Sequence, residues 1–80
     1  MEKRIGAALI LVENKDSVNK LNQILSAHAD AIVGRQGIPL KDRHVSVISL
    51  VLEGTSDELS ALTGPIGKLE GVQVKTLMMK

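Results

Sequence analysis

Two stretches of this chain, RIGAALILV at 4–12 and HVSVISLVLEG at 44–54, are apolar at odd and even positions alike. In the first, Ile5, Ala7, Leu9 and Leu11 alternate with Ala8, Ile10 and Val12. In the second, Val45, Val47 and Val51 alternate with Ile48, Leu50 and Leu52. Side chains along a strand point to opposite faces in turn, so such a pattern belongs to a strand covered on both sides. Both stretches are therefore expected as central strands.

The rest of the chain must supply their neighbours and cover. After Val12, ENKD breaks the pattern, and from Ser17 the apolar positions become Val18, Leu21, Ile24 and Leu25, with His28. That spacing of three and four is one stripe of a helix fading near 29–30, with Asp16 or Ser17 as its N-cap. AIVGRQGI at 31–38 reads as a short strand with a glycine-loosened end, and PLKDR at 39–43 as the connection onward. Pro39 has no N–H to donate, which places this strand at a sheet edge. Thr55 and Glu58 have the spacing of a capping box, and Leu59, Leu62, Ile66 and Leu69 mark the buried stripe of a second helix. Gly64-Pro65 falls inside that helix and predicts a kink or a split. Gly71 closes it, and VQVKTLMM is the last strand. The order βαββαβ is that of an α+β, ferredoxin-like two-layer sandwich, a single domain over 1–80: a four-stranded antiparallel sheet with two helices on one face.

Two helices on one face leave the other face of two doubly apolar strands bare, and a soluble monomer seldom exposes such a patch. A second copy of the chain is the simplest cover, so a homo-oligomer with closed symmetry is expected, a dimer or tetramer. With only 80 residues, the domain buries about 60% of its extended-chain surface, which leaves stability to be shared with a partner. The chain has no Phe, Tyr or Trp, which removes the stacking platform for single-stranded nucleic acid. Its formal net charge of +1 is far from the basic excess of a phosphate-binding surface, so direct nucleic acid binding is not expected. Without cysteine there is no disulfide and no thiolate, which fits a cytoplasmic protein. No apolar run approaches the ~20 residues of a membrane span, and the one after MEKR is short for a signal segment.

Candidate chemistry concentrates in VGRQGIPLKDRH, 33–44, which gathers Arg35, Lys41, Arg43 and His44 around Gly37 and Pro39. Arg35, Arg43 and His44 could form a pocket for a carboxylate or phosphate, since guanidinium forks pair bidentately with such groups. The alternative is a solvated hairpin whose cations answer Asp30 and Asp42 and discourage edge-to-edge pairing. The alternating charge of Lys41-Asp42-Arg43 favours the hairpin. The turn VENKDS, 12–17, leads into a helix N-terminus whose free amides attract anions, although an ordinary capped turn is the favoured reading. GPIGK at 64–68 lacks the phosphate-loop pattern and its strand-to-helix context. His28 and His44 have no cluster of ligands at metal spacing and read as structural. No metal, no cofactor and no catalytic set is expected, hence no enzyme.

IVGRQGIPLKDRHVSVISLVLEGTSDELSALTGPIGKLEGVQVKTLM, preceded by ILVENKDSVNKLNQIL, resembles the small proteins grouped as iron-only hydrogenase system regulators. These are ACT-like domains related to the C-terminal domain of the nickel-responsive repressor. The most specific parts are Val33-Gly34-Arg35 with Gly37-Ile38-Pro39, the run 46–54, and Leu62-Thr63-Gly64 leading to Gly71-Val72. The resemblance implies a ferredoxin-like oligomer with a regulatory role in a hydrogenase system. Positions matching the repressor's metal-binding histidines fall at about Val51 and Glu53, so it carries no nickel site over. In amino-acid-binding ACT domains the ligand lies between subunits near the first strand-to-helix turn, which implies Asn14 and Asp16. The expected ligand-binding residues are thus Asn14, Asp16, Arg35, Arg43 and His44, for a small effector or partner protein at a subunit interface. The alternative is an assembly protein that offers an oligomeric platform and binds no small ligand.

Overall fold

The two doubly apolar runs are the inner strands of a single sheet. The computed structural model describes residues 2–79. Its elements are β1 Arg4–Val12, α1 Val18–Ala27, β2 Ile32–Leu40, β3 Val45–Gly54, α2 Ser56–Gly67 and β4 Val72–Met78. The strands lie in the order β2-β3-β1-β4, every pair antiparallel, and form the ferredoxin-like α+β sandwich that the sequence predicts. β1 is parallel to β2 but one strand removed from it, and β3 stands likewise to β4. Each helix is thus a crossover between parallel strands, and the shared handedness of such crossovers puts both helices on one face.

On that face Ala8, Ile10 and Val12 of β1 and Leu50 and Leu52 of β3 meet Leu21 and Leu25 of α1 and Leu59, Leu62 and Ile66 of α2. The register places Ala8 opposite Leu50 and Ile10 opposite Ile48, so the large side chains form one layer. The other face carries Ile5, Leu9, Val51, Ile38 and Leu77, all exposed.

Several boundaries differ from the sequence expectation, each for a physical reason. β2 continues through Pro39 to Leu40, pairing Pro39 with Ser46 and Leu40 with Val45. As an edge strand it is unpaired on one side, where a missing N–H costs nothing. The connection is only the 3-10 turn Lys41–Arg43, closed by His44 in the left-handed region (φ 56, ψ 35). Histidine is among the few non-glycine residues enriched there.

α2 runs unbroken past Gly64-Pro65. Pro65 sits in its last turn, where the one intrahelical bond it removes is to the carbonyl of Ala61, an exposed residue. The helix stops at Gly67, before Gly71. Gly71 instead opens β4 at φ 69, packed so closely on Asn14 that a Cβ would collide with it. The capping box forms: Glu58 N–H donates to Thr55 Oγ1 at 3.2 Å, and Thr55 N–H to Glu58 Oε1 at 2.9 Å. Hydrogen bonding by the Thr55 amide, and next by the Thr55 side chain, holds the Glu58 carboxyl below its usual range. At α1, Ser17 occupies the cap position, yet its hydroxyl donates to the Glu70 carbonyl at 2.7 Å and ties the turn to the start of β4. His28 is the C-cap of α1, half-buried at its end, so the helical stripe stops at Leu25.

Candidate functional site

A bulge between Ile32 and Gly34 changes which residues of β2 face the helices. Ile32 pairs with Leu52 and Gly34 with Val51; one residue is extra, and the bulge leaves Val33 65% exposed. Past it, Arg35, Gly37 and Pro39 pair with Leu50, Ile48 and Ser46, and so share the helix side of the sheet. This half of β2 is exposed nonetheless, because α1 leaves it uncovered.

The space between them is a groove of about 280 Å³. Val12 and Ile48 line its bed, Val18, Leu21 and Asn22 one wall, and Arg35 one end. Val18 belongs to the apolar stripe of α1 but remains 38% exposed, since it borders the groove and not the core. Gly37 keeps the floor low: a Cβ there would meet nothing within 4 Å. A second groove of about 290 Å³ shares Val12, Val18, Pro39 and Ser46 with the first and adds Lys15, Lys41 and His44. Neither groove is lined by any Asp or Glu.

The five residues marked by the sequence do not converge. Arg35 and Arg43 are separated by the rest of β2, roughly 16 Å of strand from residue 35 to 40 at ~3.3 Å per residue. Arg43 lies with Asp42 at the hairpin tip, beside an open depression. His44 borders the second groove. Asn14 is occupied with structure: its Oδ1 accepts from the Asp16 amide at 2.9 Å and Gly71 packs over it. Asp16 is exposed on the 3-10 turn Lys15–Ser17. None of the side-chain hydrogen bonds among the described residues involves Arg35, Arg43 or His44.

Lys15, Val18, Asn22, Gly37 and Ser46 were not among the ligand-binding candidates of the sequence, yet they shape the two grooves. Only Gly37 carried a usable signal, because a glycine inside a strand often marks a close approach by a ligand or another backbone. Among the described residues no group of three or more His, Asp or Glu side chains is placed to hold a metal ion. No helix among them is long and apolar enough to cross a membrane.

Residues 4–76 match the TM1266-like family, described as iron-only hydrogenase system regulators. The chain belongs to this family. A solved structure from it, the uncharacterized protein TM1266 from Thermotoga maritima, is 32% identical and superposes with a TM-score of 0.93 over 99% of this chain and 100% of that one. Two more distant structures share the fold alone. An unknown protein from Galdieria sulphuraria is 13% identical, with a TM-score of 0.66 over 99% of this chain and 46% of its own. CutA1 from Oryza sativa is 18% identical, with a TM-score of 0.55 over 96% and 81%. No curated protein matches. For this member of the family, the grooves beside α1 and the bare sheet face are the features left to explain.

Proposed function

We propose that this chain is a non-enzymatic, cytoplasmic regulatory module of an iron-only hydrogenase system, working as a homo-oligomer that holds a small effector or partner where subunits meet. The observation that carries the oligomer is the bare sheet face, on which Ile5, Leu9, Val51 and Leu77 are between 47% and 64% exposed. The family's description as a regulator supports the role.

The relief of that face favours a second copy as its cover. Strand register places Gly34, Val51, Ala7 and Leu77 in one row across the sheet, and Gln36, Ser49, Leu9 and Lys75 in the next. A two-fold axis in the plane of contact, running along the strands between β1 and β3, lays each row on its own reverse. Leu77 then stands over Gly34, Val51 over Ala7 and Leu9 over Ser49, large against small, while Gln36 at the margin meets Lys75. An axis across the strands along the second of these rows would set Lys75 against Lys75, a like-charge contact that costs free energy. Face-to-face sheets with nearly aligned strands are a common packing, about 10 Å apart. A ligand that prefers one of two such packings shifts their balance by its difference in affinity, which is all a regulator of this kind needs.

Size-exclusion chromatography with light scattering tests the assembly. The wild-type chain is expected as a discrete oligomer, and Gly34→Val as a smaller species with unchanged circular dichroism, since a Cβ at Gly34 has open space within the subunit. Leu77→Ala added to Gly34→Val is expected to restore assembly. A wild-type monomer at millimolar concentration overturns the proposal. Native mass spectrometry of the same sample separates the two roles: retained small mass supports the sensor, and a bare oligomer that co-purifies with a protein supports the assembly platform.

A further inference from the structure

Three features of the groove between α1 and β2 point to one ligand class. Its bed and inner wall are apolar, built from Val12, Val18, Leu21 and Ile48. Arg35 lines its end, on the helix side of β2 because of the bulge at 32–34. Neither it nor the adjoining groove contains a carboxylate, whereas Lys15 and Lys41 add positive charge further along. An apolar trough with a few polar groups at its margins is the usual form of a small-molecule site, and arginine suits a carboxylate because its fork pairs with both oxygens.

Gly37 supplies the second line of argument. In a strand interior glycine has a folding cost and contributes no packing. Here nothing within the subunit requires it: no atom lies within 4 Å of a Cβ placed there, and its φ is not in the left-handed region. A side chain at this position would project from the helix side of β2 into the groove. Its absence therefore benefits an occupant of the groove and not the fold.

We infer that this groove binds a small branched or linear aliphatic monocarboxylate, with the carboxylate on Arg35 and the hydrocarbon body over Gly37 against Val18 and Ile48. Asn22 and Ser46 add polar groups to the lining of the same groove. The missing acidic residue sets the selectivity. A free amino acid brings an ammonium that no carboxylate lining the groove receives, and leaving such a charge unpaired is costly. The aliphatic acid is preferred over its amino-acid counterpart and over the corresponding amine. This rests on the effector-binding part of the reading above, moves the site from between subunits to a groove within one subunit, and names the effector's chemistry.

Three probes of matched skeleton test it by isothermal titration: 4-methylpentanoate, leucine and isoamylamine. The expected order is 4-methylpentanoate tightest, leucine at least tenfold weaker, and the amine without measurable binding. Gly37→Val is expected to abolish binding of 4-methylpentanoate while leaving the ligand-free thermal midpoint equal or higher, because a β-branched residue suits a strand. Arg35→Gln is expected to weaken binding at least tenfold and Arg35→Lys less. Equal affinity for acid and amine, no binding of 4-methylpentanoate to the wild-type chain, or binding that survives Gly37→Val overturns the assignment. Light scattering on the same samples keeps the two ideas apart. Binding by a chain that stays monomeric supports the groove and overturns the oligomeric switch; an intact oligomer without binding does the reverse.

Discussion

On β1, Ile10 is fully buried while Leu9, its neighbour in the chain, is 54% exposed. On β3, Leu50 and Leu52 are closed off by helices while Val51 between them is 47% exposed. Both faces of this sheet carry large aliphatic residues, so the presence of such residues alone does not separate them. Their relief does. The covered face places Ile10, Leu50 and Leu52 against the stripes of two helices, whose ridges need large side chains to fill the gaps between them. The bare face intersperses Leu9, Leu77 and Val51 with Ala7, Ser49 and Gly34, a surface of steps suited to another sheet. In the proposed two-fold packing, a face that looks redundant by composition meets a second copy of itself.

Truncating one side chain on each face breaks or sharpens this contrast. Leu50→Ala is expected to have the largest effect, a loss of roughly 2 to 5 kcal/mol in urea unfolding, because the cavity forms between packed elements. The loss should be the same at every protein concentration, and a loss below ~1 kcal/mol would mean that the covered face is not the core. Leu9→Ala is expected to cost less and in a different way. Its thermal midpoint should fall below that of wild type in concentrated samples, and the gap should close on dilution as both chains dissociate. A concentration-independent difference would show that Leu9 acts within one subunit and would remove the contrast.

Smaller effects belong to the fastening of α2 over the covered face. Thr55→Ala should lower stability by about 1 kcal/mol, as for other lost N-caps, at any concentration. The same box makes a pH prediction. Hydrogen bonds from the Thr55 amide and hydroxyl favour the Glu58 carboxylate, with Lys3 a lesser cause, so its folded-state pKa lies below its value in the unfolded chain. The stabilisation is therefore complete above the unfolded carboxyl's pKa and is lost as pH falls through the lower folded value. Thermal midpoints measured from neutral to strongly acidic pH should decline less for Glu58→Gln than for wild type. Equal declines would show that the box does not titrate with folding.

Much of this architecture is legible one residue at a time. The doubly apolar runs at 4–12 and 44–54 announce inner strands, Thr55 and Glu58 announce a helix start, and Pro39 announces an edge. The grouping of Arg35 with Arg43 and His44 failed to appear within the subunit because 33–44 is mostly strand, which spreads neighbours apart instead of folding them together. Asn14 stands in the turn as expected but holds the Asp16 amide, under a Gly71 fifty-seven positions away in the sequence (71 minus 14). Pro65 left α2 whole because it falls in the last turn on a water-facing side, which periodicity does not reveal.

By itself, then, the sequence determined which segments are strands and helices, their order, and that two strands need cover on both sides. Alternation, helical spacing and capping act over a few residues and are written locally. Tertiary structure alone decided which face the helices take, where β2 reverses its facing, and that a groove remains beside α1. Those depend on crossover handedness and on register with β3, and register is a relation between distant segments that no single segment contains.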